Sequence, residues 1–138
     1  MAHTVRKMDY CYLTIASRAG QGGKILKVLK EAGVNLLALS AFPCGQGLAQ
    51  FDLMPEKMAD LTKVAKLNKW KVSNPRKGFL VQGDDEVGAV LAPLAKLADK
   101  KINVTAADAI STGNGRFGMI FWVKPKDYQR AATILGAK

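Results

Sequence analysis

The sequence predicts an α+β fold made of two tandem copies of one β-α-β-β-α-β unit. Three observations predict it. Residues from Tyr12 onward lie over residues from Leu80 onward at an offset of 68, in the same order of apolar, turn and helix signals. Within each copy the apolar period changes from two to near 3.6 and back. Glycines stand where a strand must turn into a helix and where two strands must meet in a hairpin.

The repeat runs through matched landmarks. Ala19-Gly20 falls on Val87-Gly88, Leu26 on Leu94, Leu29 on Leu97, and Val34-Asn35 on Ile102-Asn103. Gly45-Gln46-Gly47 falls on Gly113-Asn114-Gly115. Beyond these glycines the match of Phe51, Leu53 and Pro55 with Phe121, Val123 and Pro125 implies two extra residues in the second copy.

In the first copy, Tyr10 to Ala16 is aromatic and β-branched and reads as a strand. Ser17 to Gly23 is a glycine-rich turn. Lys24 to Ala32 places Ile25, Val28, Leu29 and Ala32 on one face of a short helix that Gly33 stops. Val34 to Phe42 is a second strand and Pro43 to Gly47 a turn. Leu48 to Met54 alternates, with Ala49, Phe51 and Leu53 on one face and Gln50 and Asp52 on the other. Pro55 opens a second helix with Met58, Leu61, Val64 and Ala65 inward. Trp70 to Ser73 is a short fourth strand.

The second copy reads as strand Phe79 to Gly83, helix Val87 to Ala98, strands Ile102 to Ile110 and Arg116 to Val123, and helix Asp127 to Leu135. Pro93 predicts a kink or a distorted first turn in its helix. No fourth strand follows. The strand Phe79 to Gly83 therefore needs a neighbour, because bare apolar edges invite aggregation. The candidates are the N-terminal segment His3 to Asp9, an edge of the other copy, or a symmetric partner chain. The expected organisation is an N-terminal arm over 1–9, a first repeat over 10–76 and a second over 77–138, with Asn74 to Gly78 as the link.

Composition narrows the function. Apolar residues make up 49% of 138 residues, enough for a core. No apolar run reaches the roughly 18 residues of a membrane span, and no secretory leader precedes Tyr10, so the expected location is cytoplasmic. His3 is the sole histidine, and Cys11 and Cys44 are the sole cysteines. No metal site of known spacing and no cysteine or serine triad can be assembled from them, and no cofactor is expected. Cys11 reads as a core residue and Cys44 as a turn residue. His3 reads as part of a mobile terminus.

The net charge of +10 is uneven. Residues 1–76 carry 12 Lys/Arg against 5 Asp/Glu, and residues 77–138 carry 9 against 6. The run Lys57, Lys63, Lys66, Lys69, Lys71 and Arg76 reads as a solvated face. Nucleic-acid binding on a sheet needs exposed aromatics on central strands, and the alternation turns Phe51 and Phe121 toward the helices. Gly113-Asn114-Gly115-Arg116-Phe117-Gly118 fits a dinucleotide-loop pattern, but a strand follows it where a helix is required.

Strand, glycine turn, helix and then a hydrophobic-Asn pair resembles the ACT family, whose units are ferredoxin-like βαββαβ folds with helices on one face of an antiparallel sheet. The first copy reads Ser17-Arg18-Ala19-Gly20 and then Ala32-Gly33-Val34-Asn35-Leu36. The second reads Asp85-Glu86-Val87-Gly88 and then Lys101-Ile102-Asn103-Val104. The family's proline before the turn glycine is missing from both, and Ser17 departs from its acidic or amide residue. The resemblance spans Tyr10 to Leu135. It implies a freestanding, non-catalytic regulatory sensor that binds a free amino acid at an interface between ACT units and acts on an enzyme or regulator; the unpartnered strand of the second copy adds the expectation of a homodimer or of a closely joined pair of the two copies. The ligand residues it implies are Ser17, Arg18, Ala19, Gly20, Gln21, Gly22, Gly23 and Asn35, with Asp85, Glu86, Gly88 and Asn103 in the second copy. A helix N-terminus offers unpaired N–H groups and partial positive charge, which suit a carboxylate. The carboxylates of Asp84, Asp85 and Glu86 at a helix start suit the helix dipole and would repel a carboxylate but hold an ammonium group. The glycines and the two asparagines also have purely structural uses as turn and cap. The alternative functions are a protein-interaction module without a small ligand and, further off, a nucleic-acid-binding protein.

Overall fold

A computed structural model describes residues 3–138. Met1 and Ala2, the start of the expected arm, lie outside the described residues. The element order is β1 (His3–Ala16), α1 (Gln21–Glu31), β2 (Leu36–Gly45), β3 (Leu48–Pro55), α2 (Met58–Leu67), β4 (Arg76–Asp84), α3 (Leu91–Asp99), β5 (Val104–Gly113), β6 (Arg116–Val123) and α4 (Pro125–Leu135). The α+β class and the tandem antiparallel repeats are as the sequence predicts. The chain forms two compact units. The first unit is Asp9–Arg76; the second is Lys77–Lys138 together with residues 3–8.

In the first unit the strand order is β2-β3-β1. The central strand β3 pairs antiparallel with both neighbours, Leu53 opposite Cys11 on one side and Leu39 on the other. Trp70 to Ser73, expected as a fourth strand, is not regular strand. It still lies along β1, for the Ser73 amide donates to the Tyr12 carbonyl at 2.8 Å and the Tyr12 amide donates to Ser73 Oγ at 2.9 Å. Cys11, Leu13 and Leu53 of the sheet close a core with Ile25, Leu29, Leu61 and Val64 of the helices. Phe51 packs against that core, on the helix side as expected.

In the second unit the order is β1-β4-β6-β5. Residues 3–8 of β1 fill the place of the missing fourth strand beside β4. Val5 enters the core with Phe79, Phe121 and Leu97, and Lys138 is bonded to β1 by Lys7 N to Lys138 O (2.9 Å) and Lys138 N to Val5 O (3.1 Å). His3 therefore belongs to a strand and not to a mobile terminus. Phe79 lies against Phe121, with ring centroids 5.2 Å apart, and stacks on Tyr128 at 5.0 Å.

The sheet registers correct the repeat. Cys11 pairs with Leu53 and Phe79 with Phe121; Ala16 pairs with Leu48 and Asp84 with Arg116. Even the irregularities correspond, between Leu36 and Ala38 in β2 and between Val104 and Ala106 in β5. The offset of 68 persists through β3 and β6, so the second copy has no two-residue insertion and Phe121 is the counterpart of Leu53, not of Phe51.

Most elements start or stop a few residues from where they were expected, and three of these ends matter for the site. Pro55 closes β3 instead of opening α2, which starts at Met58. The helix expected from Val87 cannot run through Gly88, which takes a φ of +82°, and regular helix begins at Leu91. Pro93 then stands in the first turn, where its missing N–H costs no helical bond. The strand expected at Phe79 begins earlier, at Arg76.

Cys11 is 1% exposed, and burial pushes its thiol up to about 11, with the Asp52 charge adding to the shift. Burial also raises Tyr10, against the lowering influence of Arg76. Both groups are neutral in the fold while the unfolded chain can ionise. The unfolded state thus binds fewer protons above pH 9, and stability falls as pH rises from there through about 11. The expected loss from Cys11 is about 2 kcal/mol, read from urea melts at pH 8, 9.5 and 11. Cys11→Ala should flatten that part of the profile; an unchanged slope would show that the thiol is not its source.

Candidate functional site

The first strand-to-helix turn is built from glycine. Gly20 is the N-cap of α1 with a φ of +86°, a conformation that costs a residue with a Cβ roughly 1 kcal/mol or more. No side chain caps α1. The Gln21 amide is turned to the Arg18 carbonyl at 3.2 Å, and the Ser17 amide holds the turn to the hairpin through Gly47 O at 2.8 Å. Gly22 lies against the Phe51 ring so closely that a Cβ there would displace it. Ser17, Arg18, Ala19 and Gly20 are exposed, and α1 has no acidic residue in its first turn. This end of the helix thus presents backbone N–H groups and one guanidinium to solvent, an arrangement suited to an anion.

Asn35 stands at the other end of the same helix. It precedes β2, and its Nδ2 donates to Glu56 Oε2 at 3.3 Å while the Glu56 amide donates to its carbonyl at 2.8 Å. An 11-residue helix is about 16 Å long, so the glycine turn and Asn35 of one unit do not form one site. Asn35 instead lines an open cleft of about 470 Å³ with Lys30, Gly33 and Leu36. Lys30 and Leu36 were not singled out by the sequence reading; their position at the α1–β2 seam was the available signal.

The second unit repeats the geometry with opposite charge. Asp85, Glu86 and Gly88 line a smaller cleft of about 250 Å³, walled by Ile110, Ser111 and Phe117. Ser111 Oγ donates to Asp85 Oδ2 at 2.9 Å, and the Asp85 amide donates to Gly115 O at 2.8 Å. Asp84 is the last residue of β4 and pairs with Arg116 at 2.8 Å, an exposed pair worth little to stability. Because α3 starts only at Leu91, none of the three carboxylates lies in its first turn. The expected match to the helix dipole is therefore not made. Asn103 is exposed just before β5.

Another polar group was missed. Asp52, on the face of β3 expected to meet solvent, is 2% exposed. Its Oδ1 accepts from Gln50 Nε2 at 3.0 Å. Tyr10, also buried, feels the charge of Asp52 and is hydrogen-bonded to Arg76, whose guanidinium lies 5.0 Å from the centre of the Tyr12 ring. Met54, two residues along the same face and fully buried, was the sequence signal that this face is not open to water.

Among the described residues no helix is long and apolar enough to cross a membrane. No family model and no curated protein matches the chain. Solved structures do. A protein from Bacteroides thetaiotaomicron matches with a TM-score of 0.77 at 16% identity, over 97% of this chain and 88% of that one. The ligand-free regulatory subunit of aspartate kinase from Thermus thermophilus matches with a TM-score of 0.63 at 14% identity, over 98% and 93%. The regulatory subunit from Thermus flavus matches with a TM-score of 0.59 at 14%, over 98% and 94%. Identities this low carry the fold.

Proposed function

We propose that this chain, with the tandem ACT-like fold it shares with aspartate kinase regulatory subunits, is a non-catalytic regulatory sensor for a free amino acid or a similar small carboxylate. The observation that carries the reading is the uncapped N-terminus of α1 beside Arg18, behind a Gly20 held at positive φ. The α-carboxylate would sit on the backbone of Gly20, Gln21, Gly22 and Gly23, with Ser17, Ala19 and the Arg18 guanidinium at its rim. The turn at Asp85, Glu86 and Gly88 would take the ammonium side of a ligand. Asn35 and Asn103 each stand a helix length from the turn of their own unit, so an asparagine reaches a turn only from a neighbouring ACT unit. That requirement favours a homodimer. The missing-strand argument for a partner no longer applies, since residues 3–8 supply that strand. The regulated partner would be an enzyme or a transcriptional regulator. Free Cys11 and exposed free Cys44 fit the reducing cytoplasm.

The test is a thermal-shift screen of the twenty amino acids and common 2-oxo acids. A ligand that binds only the folded chain adds about 2.7 kcal/mol at a hundredfold excess over its Kd. One or a few related carboxylates should raise the melting temperature; no shift with any of them would favour an interaction module without a small ligand.

A further inference from the structure

The outward faces of α1 and α2 are lined with lysine. The two helices pack side by side on one face of the first unit's sheet. On α1 the buried Ile25 and Leu29 mark the core side, and at 3.6 residues per turn Lys27 lies opposite them with Lys24 and Lys30 on either side. On α2, Lys63 and Lys66 lie opposite the buried Leu61, Val64 and Ala65. All five lysines are exposed, and among the described residues none of them is in an ion pair. Nearby acids do not cancel them: residues 24–31 carry three Lys against Glu31, and residues 58–67 carry two against Asp60.

The fold does not ask for this charge. At the offset of 68, Lys24, Lys27 and Lys30 become Ala92, Ala95 and Ala98, while α3 buries Leu97 as α1 buries Leu29. Neither α1 nor α2 contains an aromatic residue. Among the described residues, Leu67 is the only large apolar side chain exposed on these two helices. The face therefore lacks the rings that hold single-stranded bases and the apolar stripe that enters a membrane. Lysine is a flexible point charge without the planar fork of arginine, so it meets phosphates from many directions.

We propose that this lysine face binds the phosphate backbone of a nucleic-acid duplex without reading its sequence. Lys24 to Lys30 rises about 9 Å along α1, and two packed helices stand about 8–10 Å apart. A duplex presents one charge per about 1.7 Å of its axis, so a basic face of this size meets several phosphates in any register. Unlike binding on a sheet, this mode needs no exposed aromatic. Five contacts give log K a slope of about −4 to −5 against log salt. The binding goes beyond the sensor reading and requires no small ligand.

The experiment is fluorescence anisotropy of a labelled DNA duplex of about 20 base pairs, titrated with the full chain at salt from about 50 to 200 mM. Two unrelated sequences should bind alike, with a Kd of about 1–100 μM at about 150 mM salt. K27E/K63E/K66E should weaken binding by about tenfold or more and lower the salt slope by about 3, roughly 0.9 per lost contact. K27Q/K63Q/K66Q should lower the slope equally with a smaller loss of affinity. K100E/K124E/K126E, the same change of net charge placed in the second unit, should leave the slope as it is. No binding at about 50 mM salt, equal losses from the two charge-reversed variants, or a preference of about tenfold for one sequence or for the single strand would each overturn the proposal. So would binding to phosphatidylserine vesicles in place of the duplex. Because no amino acid is present, its failure leaves the thermal-shift result to judge the sensor reading separately.

Discussion

Removing residues 1–8 is expected to cost the second unit about 4 kcal/mol. Val5 and Met8 are both buried, at 7% and 6% exposure, and each buried side chain of this size contributes roughly 1.5–3 kcal/mol. The same deletion takes away the strand beside β4 and the two bonds to Lys138. A domain of this size has about 5–15 kcal/mol in all, so the truncated chain should sit near its threshold. Urea melts should show a lower midpoint, and hydrogen exchange should show the amides of Phe79 to Gly83 losing protection. A truncated chain with the wild-type midpoint and protected β4 amides would contradict the account.

Phe121→Ala should destabilise by about 3–5 kcal/mol. The ring is fully buried in β6, opposite Phe79 in the register, and it is part of an aromatic set that continues to Tyr128. Truncation leaves a cavity lined by residues of β4, α3 and α4 that the sheet holds in place. Phe121→Leu should cost much less, because most of the volume remains. The comparison separates cavity from fold disruption: both variants should keep the far-ultraviolet spectrum, and equal losses would show that packing around Phe121 is not what the substitution reads.

Much of this fold was legible because its signals are local. The Gly45-Gln46-Gly47 and Gly113-Asn114-Gly115 hairpins need residues at positive φ, and all six adopt it. Three features escaped for physical reasons. In residues 3–8 the buried positions are Val5 and Met8, with Arg6 and Lys7 exposed between them, so no period of two marks the strand. Aligning Phe51 with Phe121 followed one shared residue type, whereas backbone register carries Leu53 onto Phe121. The alternation of β3 gave Asp52 to solvent because it assumes one wet face, while burial of Tyr10, Asp52 and Met54 leaves this end of the strand dry on both. The site was less legible than the fold. The sequence named the turn and the helix that separates it from Asn35, but only the structure shows that Ser111 and Ile110 border the second turn.

The sensor reading stands most directly on calorimetric titration of the full chain and of Arg18→Ala with the carboxylates that shift its melting temperature. The account predicts saturable heat with a micromolar to millimolar Kd, as suits a ligand of few atoms, and binding at least about tenfold weaker when the guanidinium is removed. Absence of heat with every carboxylate, or undiminished binding to Arg18→Ala, would contradict it.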